Sequence, residues 1–387
     1  MKKEKRMIRY FDMFAGVGGF RAGLDRAGGF QCVGHCEIDK YADASYRAIH
    51  NIRKEEVYHA DARSIPPEQL PDFDLLCGGF PCQAFSTAGR RKGFEDARGT
   101  LFFELARVAE AKRPAYLFLE NVPGLLSHDG GRTFAAILST LYDMGYHVEW
   151  TVLNSKHFRV PQSRKRLFLI GYLDPRCAGK ILPVFGAGAE ARVQATGELQ
   201  SSCVCDAKGV ACMQTSSAGG TGSKTGLYFI DLTKGDPKIT TTARCLNTRQ
   251  DGSLTNFKGQ NSGVLYIKEA TKKGFKEVHE GDSVDLGFAG SNTRRGRVFE
   301  NVAHTVDTAN THGIVMRGGR IRRLMPRECF RLQGFSEEQI DKILAINSDA
   351  QAYKQAGNGV TVTVIEAIGR RIRAADAMLH RSGSDAE

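Results

Sequence analysis

The sequence predicts an α/β fold in which a mainly parallel sheet carries helices on both faces. Residues 8–173 alternate apolar, strand-like runs with helical patterns, and this alternation is typical of parallel sheets covered on both sides. The composition is globular, with 41% hydrophobic and 25% charged residues. A chain of 387 residues is longer than one ordinary hydrophobic core requires, so a second domain is expected.

The elements of the first region follow from the spacing of its apolar residues. Helices are predicted where apolar residues recur every three or four positions, at 101–112 and 133–143. Strands are predicted at the apolar runs 8–14, 31–37, 73–77, 115–120, 147–153 and 166–173.

The character of the sequence changes after about residue 174. Residues 176–320 are rich in Gly, Thr, Ser and Asn and contain short strand-like pieces at 226–232 and 263–267. Helical patterns return at 322–332, 337–346 and 360–378. We therefore divide the chain into residues 1–175, a smaller, irregular β-rich domain over 176–320, and a C-terminal part over 321–387.

The net charge of +11 indicates a polyanionic partner. Residues 176–320 hold 19 Lys and Arg against 13 Asp and Glu, so this stretch carries more than half of the excess. No apolar run approaches the roughly 20 residues of a membrane span. The basic N-terminus leads into a strand and not into the apolar segment of a secretory signal, so a cytoplasmic protein is expected.

The ten cysteines do not form a metal-binding pattern. Their spacings include no paired C-x-x-C, and no neighbouring histidines complete a ligand set. No metal is therefore expected, and most of the thiols are predicted to be buried.

A glycine-rich turn follows the first predicted strand and contains Phe14, Gly16 and Gly18. Glycines at this position let a ligand approach the backbone. Glu37 ends the second strand, 21 residues after Gly16, where an acid reaches ribose hydroxyls in nucleotide-binding sheets. Asp61 follows the third strand-like piece and is a candidate acceptor for an adenine amino group. A tight turn without a ligand, with surface carboxylates beside it, is the alternative.

Cys82 follows the fourth strand in the run Gly78-Gly79-Phe80-Pro81-Cys82. A thiol on a loop just beyond a strand is placed where catalytic groups are presented in α/β sheets, and its thiolate is a strong nucleophile. The alternative, an inert structural cysteine, suits Cys77 inside the apolar run better.

Charged residues flank this candidate nucleophile in the sequence. Arg90, Arg91 and Lys92 stand between glycines, which suggests a mobile loop that closes over phosphates; a solvated charge run is the alternative. Glu120 ends the fifth strand, where its carboxyl group can protonate or hydrogen-bond a heterocycle nitrogen. Alternation puts Arg164 and Arg166 on one face beyond it, so that both guanidinium groups could point into the site.

These blocks together resemble those of the cytosine carbon-5 DNA methyltransferases, in particular the compact bacterial restriction–modification enzymes. The matching blocks stand in the order of the family and at near its usual spacing. They cover residues 8–173 and 321–375: Phe14-x-Gly16-x-Gly18, Gly79-Phe80-Pro81-Cys82-Gln83, Glu120-Asn121-Val122, Gln162-x-Arg164-x-Arg166, Arg322-Arg323-Leu324, Gln333-Gly334-Phe335 and Gln355-Ala356-Gly357-Asn358-Gly359-Val360.

The resemblance implies a Rossmann-like, S-adenosylmethionine-dependent methyltransferase fold with a mixed seven-stranded sheet. The last helix would return to pack on the N-terminal part, and 176–320 would form a target-recognition domain. The implied cofactor contacts are Phe14, Gly16, Gly18, Glu37, Asp61, Pro81, Asn358 and Val360. In the family a bulky residue follows the second-strand acid; here Ile38 stands there, so an adenine-stacking ring is absent.

The implied reaction is methylation of carbon 5 of a flipped cytosine in a specific duplex DNA sequence, through a covalent adduct with Cys82. Cys82, Glu120, Arg164 and Arg166 would surround the base. The predicted DNA contacts are Gln83, Ser86, Arg90, Arg91, Lys92, Arg294, Arg295 and Arg297.

The resemblance also sets the expected partners and the rival functions. A bacterial or phage-encoded monomer is expected, with a restriction endonuclease acting on the same site as a further partner. A tRNA cytosine methyltransferase on the same scaffold is one alternative. A catalytically silent DNA-binding regulator is the other, although it predicts the loss of Cys82 or Glu120, and both are present.

Overall fold

The described part of the chain covers most of the first region and the C-terminal helices. The computed structural model describes residues 6–80, 101–182, 184, 227–231, 238–240, 262–272, 274–287, 293, 295–309, 311–316 and 321–381.

A seven-stranded mixed sheet forms the centre of the molecule, as predicted. Its strands are β1 (Ile8–Met13), β2 (Phe30–Cys36), β3 (Val57–His59), β4 (Leu75–Gly79), β5 (Tyr116–Asn121), β6 (His147–Asn154) and β7 (Lys165–Tyr172). They lie in the order β3-β2-β1-β4-β5-β7-β6. Strands β1 to β5 are parallel to one another, whereas β7 is antiparallel to both β5 and β6. The strand order reverses at β1, where open α/β sheets bind their ligands.

Eight α-helices are described, numbered in chain order. They are α1 (Gly19–Ala27), α2 (Lys40–Ile49), α3 (Leu101–Lys112), α4 (Arg132–Asp143), α5 (Pro326–Leu332), α6 (Glu337–Ile346), α7 (Asp349–Asn358) and α8 (Val362–Arg381). Two differences from the sequence prediction appear. The predicted helix 322–332 begins only at Pro326, because residues 321–323 form a strand, and α7 was not predicted at all.

The helices cover both faces of the sheet, as the alternation of elements predicted. On one face α1 and α8 pack together, with Leu24, Ile365 and Ile368 fully buried. On the other face α3 and α4 bury Leu105 and Ile137. The predicted return of the last helix to the N-terminal part is therefore confirmed.

Two four-stranded antiparallel sheets occupy the later part of the chain. The first has the order β11-β10-β8-β9 and consists of β8 (Leu227–Asp231), β9 (Lys238–Thr240), β10 (Ser262–Lys268) and β11 (Phe275–Val278). The second has the order β13-β12-β14-β15 and consists of β12 (Ser283–Asp285), β13 (Val298–Phe299), β14 (His312–Val315) and β15 (Ile321–Arg323). Strand β15 joins this sheet from beyond residue 320, and the domain limits stay a prediction.

Three general features complete the description. No described helix is long and apolar enough to cross a membrane. Within the described residues, no group of three or more His, Cys, Asp and Glu side chains could hold a metal ion. The described cysteines are buried free thiols, namely Cys32, Cys36, Cys77, Cys177 and Cys329.

Candidate active site

The register of the sheet aligns three predicted site residues and one glycine in a row at its carboxyl edge. Met13 pairs with both Cys36 and Gly78, and Gly78 pairs with Leu119. One residue further along each strand, or just beyond its end, the row runs in spatial order through Glu37, Phe14, Gly79 and Glu120. Since strands lie about 4.8 Å apart, the row from Glu37 to Glu120 spans roughly 14 Å, which one nucleotide-sized ligand and a neighbouring base can bridge.

The glycine turn and Glu37 form one hydrogen-bonded unit. The Gly16 N–H donates to Glu37 Oε2 at 2.7 Å, and the Asp39 N–H donates to Oε1 at 2.7 Å. Burial raises the pKa of Glu37, while these two backbone donors lower it. Gly16 has φ +55°, and a Cβ added there would meet nothing within 4 Å. The turn therefore offers open space next to a positioned carboxylate, which fits a nucleotide cofactor.

The C-terminal block meets the same turn. A Cβ added to Gly19 would lie 2.7 Å from Val360 Cγ2, so only glycine allows this close packing. Asn358 is exposed at the end of α7. Helix α7 is tied to the N-terminal part by Lys354, whose ammonium group contacts Asp39 Oδ2 at 2.7 Å. Residues separated by more than 300 positions thus build one side of the candidate cofactor site.

Asp61 and Ile38 lie at the edge of this region. Asp61 follows β3, and its carboxylate is held by Arg63 at 2.7 Å, which keeps the pKa of Asp61 below its usual value. An adenine amino group would have to share this carboxylate with Arg63. The Ile38 side chain is 69% exposed, so it is available to a bound ligand.

Glu120 and Arg166 form the central charged pair of the site. Arg166 Nε lies 2.9 Å from Glu120 Oε1, and both side chains are largely buried. Burial raises the pKa of Glu120, although the nearby Arg166 and Arg164 guanidinium groups act in the opposite direction. A Cβ on Gly79 would lie 2.9 Å from Glu120 Oε2, so the missing side chain on β4 makes room for the carboxylate.

Asn121 connects β5 to the start of the segment that carries the candidate nucleophile. Its Nδ2 donates to the Phe80 carbonyl oxygen at 2.9 Å, and its Oδ1 accepts from the Val122 N–H at 2.8 Å. Phe80 is the last described residue before this segment. Eight predicted site residues lie outside the described residues: Pro81, Cys82, Gln83, Ser86, Arg90, Arg91, Lys92 and Arg294.

Arg164 lies in a different environment from Arg166. Its guanidinium is buried and donates to the carbonyl oxygens of Val306 at 2.9 Å, Gly357 at 2.9 Å and Gly359 at 2.7 Å. Burial, together with repulsion from Arg166, lowers the pKa of Arg164 to about 9. Arg164 therefore links the catalytic strand to the C-terminal block, and it acts on Glu120 by charge and not by a hydrogen bond.

Three polar residues to which the sequence analysis gave no role complete this junction, namely Gln162, Gln333 and Thr361. Gln162 donates to the Leu332 carbonyl oxygen at 2.8 Å and accepts from the Val306 N–H. Gln333 donates to the Ala356 carbonyl oxygen at 2.7 Å and accepts from the Thr361 hydroxyl. Both glutamines stand inside the blocks that resemble the family, and this position is the signal that could have found them. Neither has a reactive side chain.

The predicted DNA contacts in the later sheets separate into one exposed and one buried arginine. Arg295 is exposed. Arg297 is only 1% exposed, and its guanidinium donates to the Asp285 carbonyl oxygen at 2.8 Å. The prediction that Arg297 contacts DNA therefore has to be corrected, because its charge is used inside the second antiparallel sheet.

Comparison with known proteins connects this geometry to one family. The model of the family described as "C-5 cytosine-specific DNA methylase" matches residues 8–374. The orphan methyltransferase M.SPRI of Bacillus phage SPR is 33% identical over 94% of this chain and 97% of its own length. The type II methyltransferase M.HpaII of Haemophilus parainfluenzae is 34% identical over 95% of this chain and 90% of its own.

Solved structures show the same fold at lower sequence identity. The S. pombe Dnmt2 methyltransferase superposes with a TM-score of 0.52 and 18% identity, covering 96% of this chain and 99% of its own. The Entamoeba histolytica methyltransferase EhMeth gives a TM-score of 0.52 and 16% identity, covering 97% and 99%. The chain thus shares its fold with these methyltransferases.

Proposed function

Because the chain belongs to the C-5 cytosine-specific DNA methylase family, we propose that it methylates carbon 5 of a flipped cytosine in a specific duplex DNA sequence. The single observation that carries the proposal is the buried Glu120–Arg166 pair, 2.9 Å apart, at the carboxyl edge of the sheet. It lies one strand from the end of β4, after which the chain continues to Cys82.

This pair suits the recognition of a neutral heterocycle that becomes charged during the reaction. A carboxyl group with a raised pKa retains its proton more readily near neutral pH and can hydrogen-bond a ring nitrogen. The adjacent Arg166 can donate to the exocyclic oxygen. Such preorganised groups stabilise charge as it develops and act strongly in a buried site.

The residues at the glycine turn fit S-adenosylmethionine. Phe14, Gly16 and Gly18 would lie along it, Glu37 would accept its ribose hydroxyls, and Val360 would close one side. When bound, S-adenosylmethionine would supply an electrophilic methyl group and would be left as S-adenosylhomocysteine. The open space at Gly16 supports this assignment, since a turn packed against other side chains would exclude any ligand.

The proposed reaction uses Cys82 as a covalent nucleophile. The Cys82 thiolate adds to ring carbon 6, while Glu120 stabilises protonation of ring nitrogen 3 and Arg166 holds the exocyclic oxygen. Carbon 5 then holds the electron pair that a methyl acceptor needs. After methylation a base removes the carbon 5 proton, the ring double bond re-forms, and the thiolate leaves.

The recognition of DNA is assigned to residues 176–320 and to the segment after Phe80. Exposed cations such as Arg295 would contact phosphates, and polar side chains would read base edges. Flipping the cytosine costs a few kcal/mol of stacking and pairing, which pocket contacts offset. A restriction endonuclease with the same target would be the biological partner of a type II enzyme.

Trapping on modified DNA tests this proposal. We expect duplex DNA that contains 5-fluorocytosine in place of cytosine to form a stable adduct with the protein in the presence of S-adenosylmethionine, because no base can remove the fluorine. A denaturing gel should show a shifted band that Cys82→Ala abolishes. The matched variant Cys77→Ala should keep the band, since Cys77 is buried in β4.

Two results would contradict the proposal. A shifted band that persists in Cys82→Ala would show that Cys82 is not the nucleophile. Methyl transfer from labelled S-adenosylmethionine to tRNA, with none to duplex DNA, would establish the alternative acceptor.

A further inference from the structure

The connection between β6 and β7 exposes an unusual concentration of positive charge. Residues 154–166 contain five Lys and Arg and no acidic residue. Lys156, Arg159 and Lys165 are exposed, and among the residues that the structure describes no ion pair is recorded for them. We refer to residues 155–159 together with Lys165 as the cationic turn.

The cationic turn is rigidly attached to the protein. Ser155 is buried, and its N–H donates to the Arg164 carbonyl oxygen at 3.0 Å. Its hydroxyl lies 2.8 Å from the Thr361 hydroxyl. Phe158 is buried in the core that α1 and α8 share with the sheet. The backbone that carries the exposed cations is therefore fixed before a ligand binds, and only their side chains have to be ordered.

Arg159 occupies a backbone conformation that disfavours its side chain. Its φ is +61°, in the left-handed region that glycine adopts without strain. Strained residues of this kind concentrate at functional positions. A guanidinium at a position where glycine would be less costly indicates that the side chain itself is used.

The cationic turn lies at the catalytic edge of the sheet. Asn154 pairs with Lys165, and Leu153 pairs with Arg166, which contacts Glu120 at 2.9 Å. The turn therefore begins directly beside the strand position that holds the catalytic pair. A polyanion bound to Glu120 and Arg166 through one of its bases must pass close to this turn.

We propose that the cationic turn binds backbone phosphates of the duplex DNA next to the reacting cytosine. This inference rests on the proposed function. Exposed Lys and Arg without acidic neighbours are suited to phosphate contacts that fix the position of the duplex without reading its sequence. The rigid link through Ser155 and Arg164 would hold these phosphates in register with Arg166.

Salt-dependent binding tests the inference without knowledge of the target sequence. The probe is a fluorescein-labelled 30-base-pair duplex of mixed sequence, measured by anisotropy between about 50 and 200 mM NaCl. Lys156→Gln combined with Arg159→Gln should reduce the slope of log affinity against log salt by about 2. The corresponding loss of affinity is roughly 60-fold at 0.1 M salt, from a slope of about 0.9 per phosphate.

A charge-matched control separates this effect from net charge. Lys54 precedes β3 and Lys180 follows β7, so both exposed side chains lie at the opposite edge of the sheet. Lys54→Gln with Lys180→Gln should leave the slope unchanged. Arg159→Gly should lower the slope by about 1 while keeping or raising the melting temperature, which excludes misfolding as the cause.

The outcomes distinguish the two proposals. If the wild type transfers no methyl group to DNA, the proposed function fails. If the wild type methylates DNA but the double variant keeps the slope of its control, the inference is overturned and the proposed function stands. If the double variant loses affinity only for tRNA, the turn serves RNA and the inference is likewise overturned.

Discussion

Glu120 and Arg166 depend on each other because both side chains are largely buried. Removing one charge of a buried pair leaves the other uncompensated, which is usually strongly destabilising. A neutral residue of the same shape is therefore the least disruptive substitution, since Gln can still hydrogen-bond Arg166 but cannot supply a proton.

We expect Glu120→Gln to lower the turnover number by about 10²–10⁴, the usual contribution of a positioned acid or base. Cofactor affinity, measured by calorimetry, should stay close to that of the wild type, because the glycine turn lies two strands away from Glu120 and Glu37 lies three strands away. Glu338→Gln, at an exposed position of α6, serves as the control. An equal loss of cofactor affinity would indicate a structural role for Glu120.

His50 supports the glycine turn from behind and predicts a pH dependence. A Cβ on Gly18 would lie 2.2 Å from His50 Nε2. Tyr46 packs on the His50 ring, Asp25 lies 4.0 Å from its Nδ1, and Arg21 and His35 are the nearby basic groups. Burial, together with Arg21, lowers the pKa of His50 to about 3.

The low pKa of His50 makes the folded protein less stable at acidic pH. The folded protein keeps His50 neutral, whereas the unfolded chain protonates it near pH 6.5. Stability is therefore full above about pH 6.5 and falls toward pH 3, by up to about 1.4 kcal/mol per pH unit. We expect the free energy of unfolding of His50→Phe, measured with urea between pH 7 and pH 4.5, to change less with pH than that of the wild type, by up to this amount per pH unit. An unchanged pH dependence would contradict the prediction.

Among individual residues, the sequence predicted position in the fold better than exposure. Glu37 directly follows β2, Glu120 stands near the end of β5, and Val360 lies against Gly19, while the roles of these residues stay predictions. Arg164 and Arg297 carry the expected charge, but their guanidinium groups bind backbone carbonyl oxygens. Those acceptors come from loops that are distant in sequence, so no local pattern could have revealed them.

At the scale of elements, apolar spacing located the strongly amphipathic helices and missed α7. The buried apolar residues of α7 are only Ala352 and Ala356, beside the polar Gln355. Alanines give a weak periodic signal, although the Ser348 cap at the start of the helix is visible in the sequence. Short strands such as β12 and β13 were missed because two or three residues cannot show alternation.

The contact between α1 and α8 predicts the effect of filling its glycines. A Cβ on Gly23 would lie 2.5 Å from Ile365 Cβ and 2.8 Å from the Val362 carbonyl oxygen, neither of which can swing away. Gly23→Ala should therefore destabilise the protein by about 1–3 kcal/mol, despite the better helix propensity of alanine. Urea unfolding provides the measurement.

Gly369→Ala provides a graded comparison in the same interface. Its Cβ would approach Leu24 Cδ2 at 3.0 Å, and this is the flexible end of a side chain. We expect Gly369→Ala to stay within about 1 kcal/mol of the wild type, because overpacking and helix propensity nearly offset each other. Equal losses of stability in both variants would show that the steric overlap of the added Cβ does not determine the effect.

For the molecule as a whole, the alternation of elements predicted the layers, and the resemblance predicted the mixed sheet. Strand direction could not be read from hydrophobicity, because the short connection that reverses β7 contains no periodic signal. The second antiparallel sheet also crosses the predicted limit at residue 320, since β15 pairs with β14. Ile314 of strand β14 lies in one core with Phe330 and Val362, together with Ala303 and Val306 from the segment between β13 and β14.

A chimera tests the recognition region at this scale. Replacing residues 176–302 by the corresponding stretch of a relative of known target should transfer that target and leave cofactor affinity unchanged. Extending the replacement to 176–320 should lower the melting temperature, because it changes the Val306 and Ile314 side chains that pack in the core shared with Phe330 and Val362. Sequencing of methylated cytosines reads the target; an active short chimera that keeps its original target would place specificity elsewhere.

The contact between Gly19 and Val360 also determines when the protein becomes functional during synthesis. These residues are 341 positions apart. At about 5–20 residues per second, a ribosome needs roughly 20–70 s to pass from one to the other. Throughout that interval the apolar face of α1 has no α8 to cover it. A nascent chain is therefore inactive and exposed to aggregation until this late segment emerges, so translation speed and chaperone supply should limit the yield of active protein.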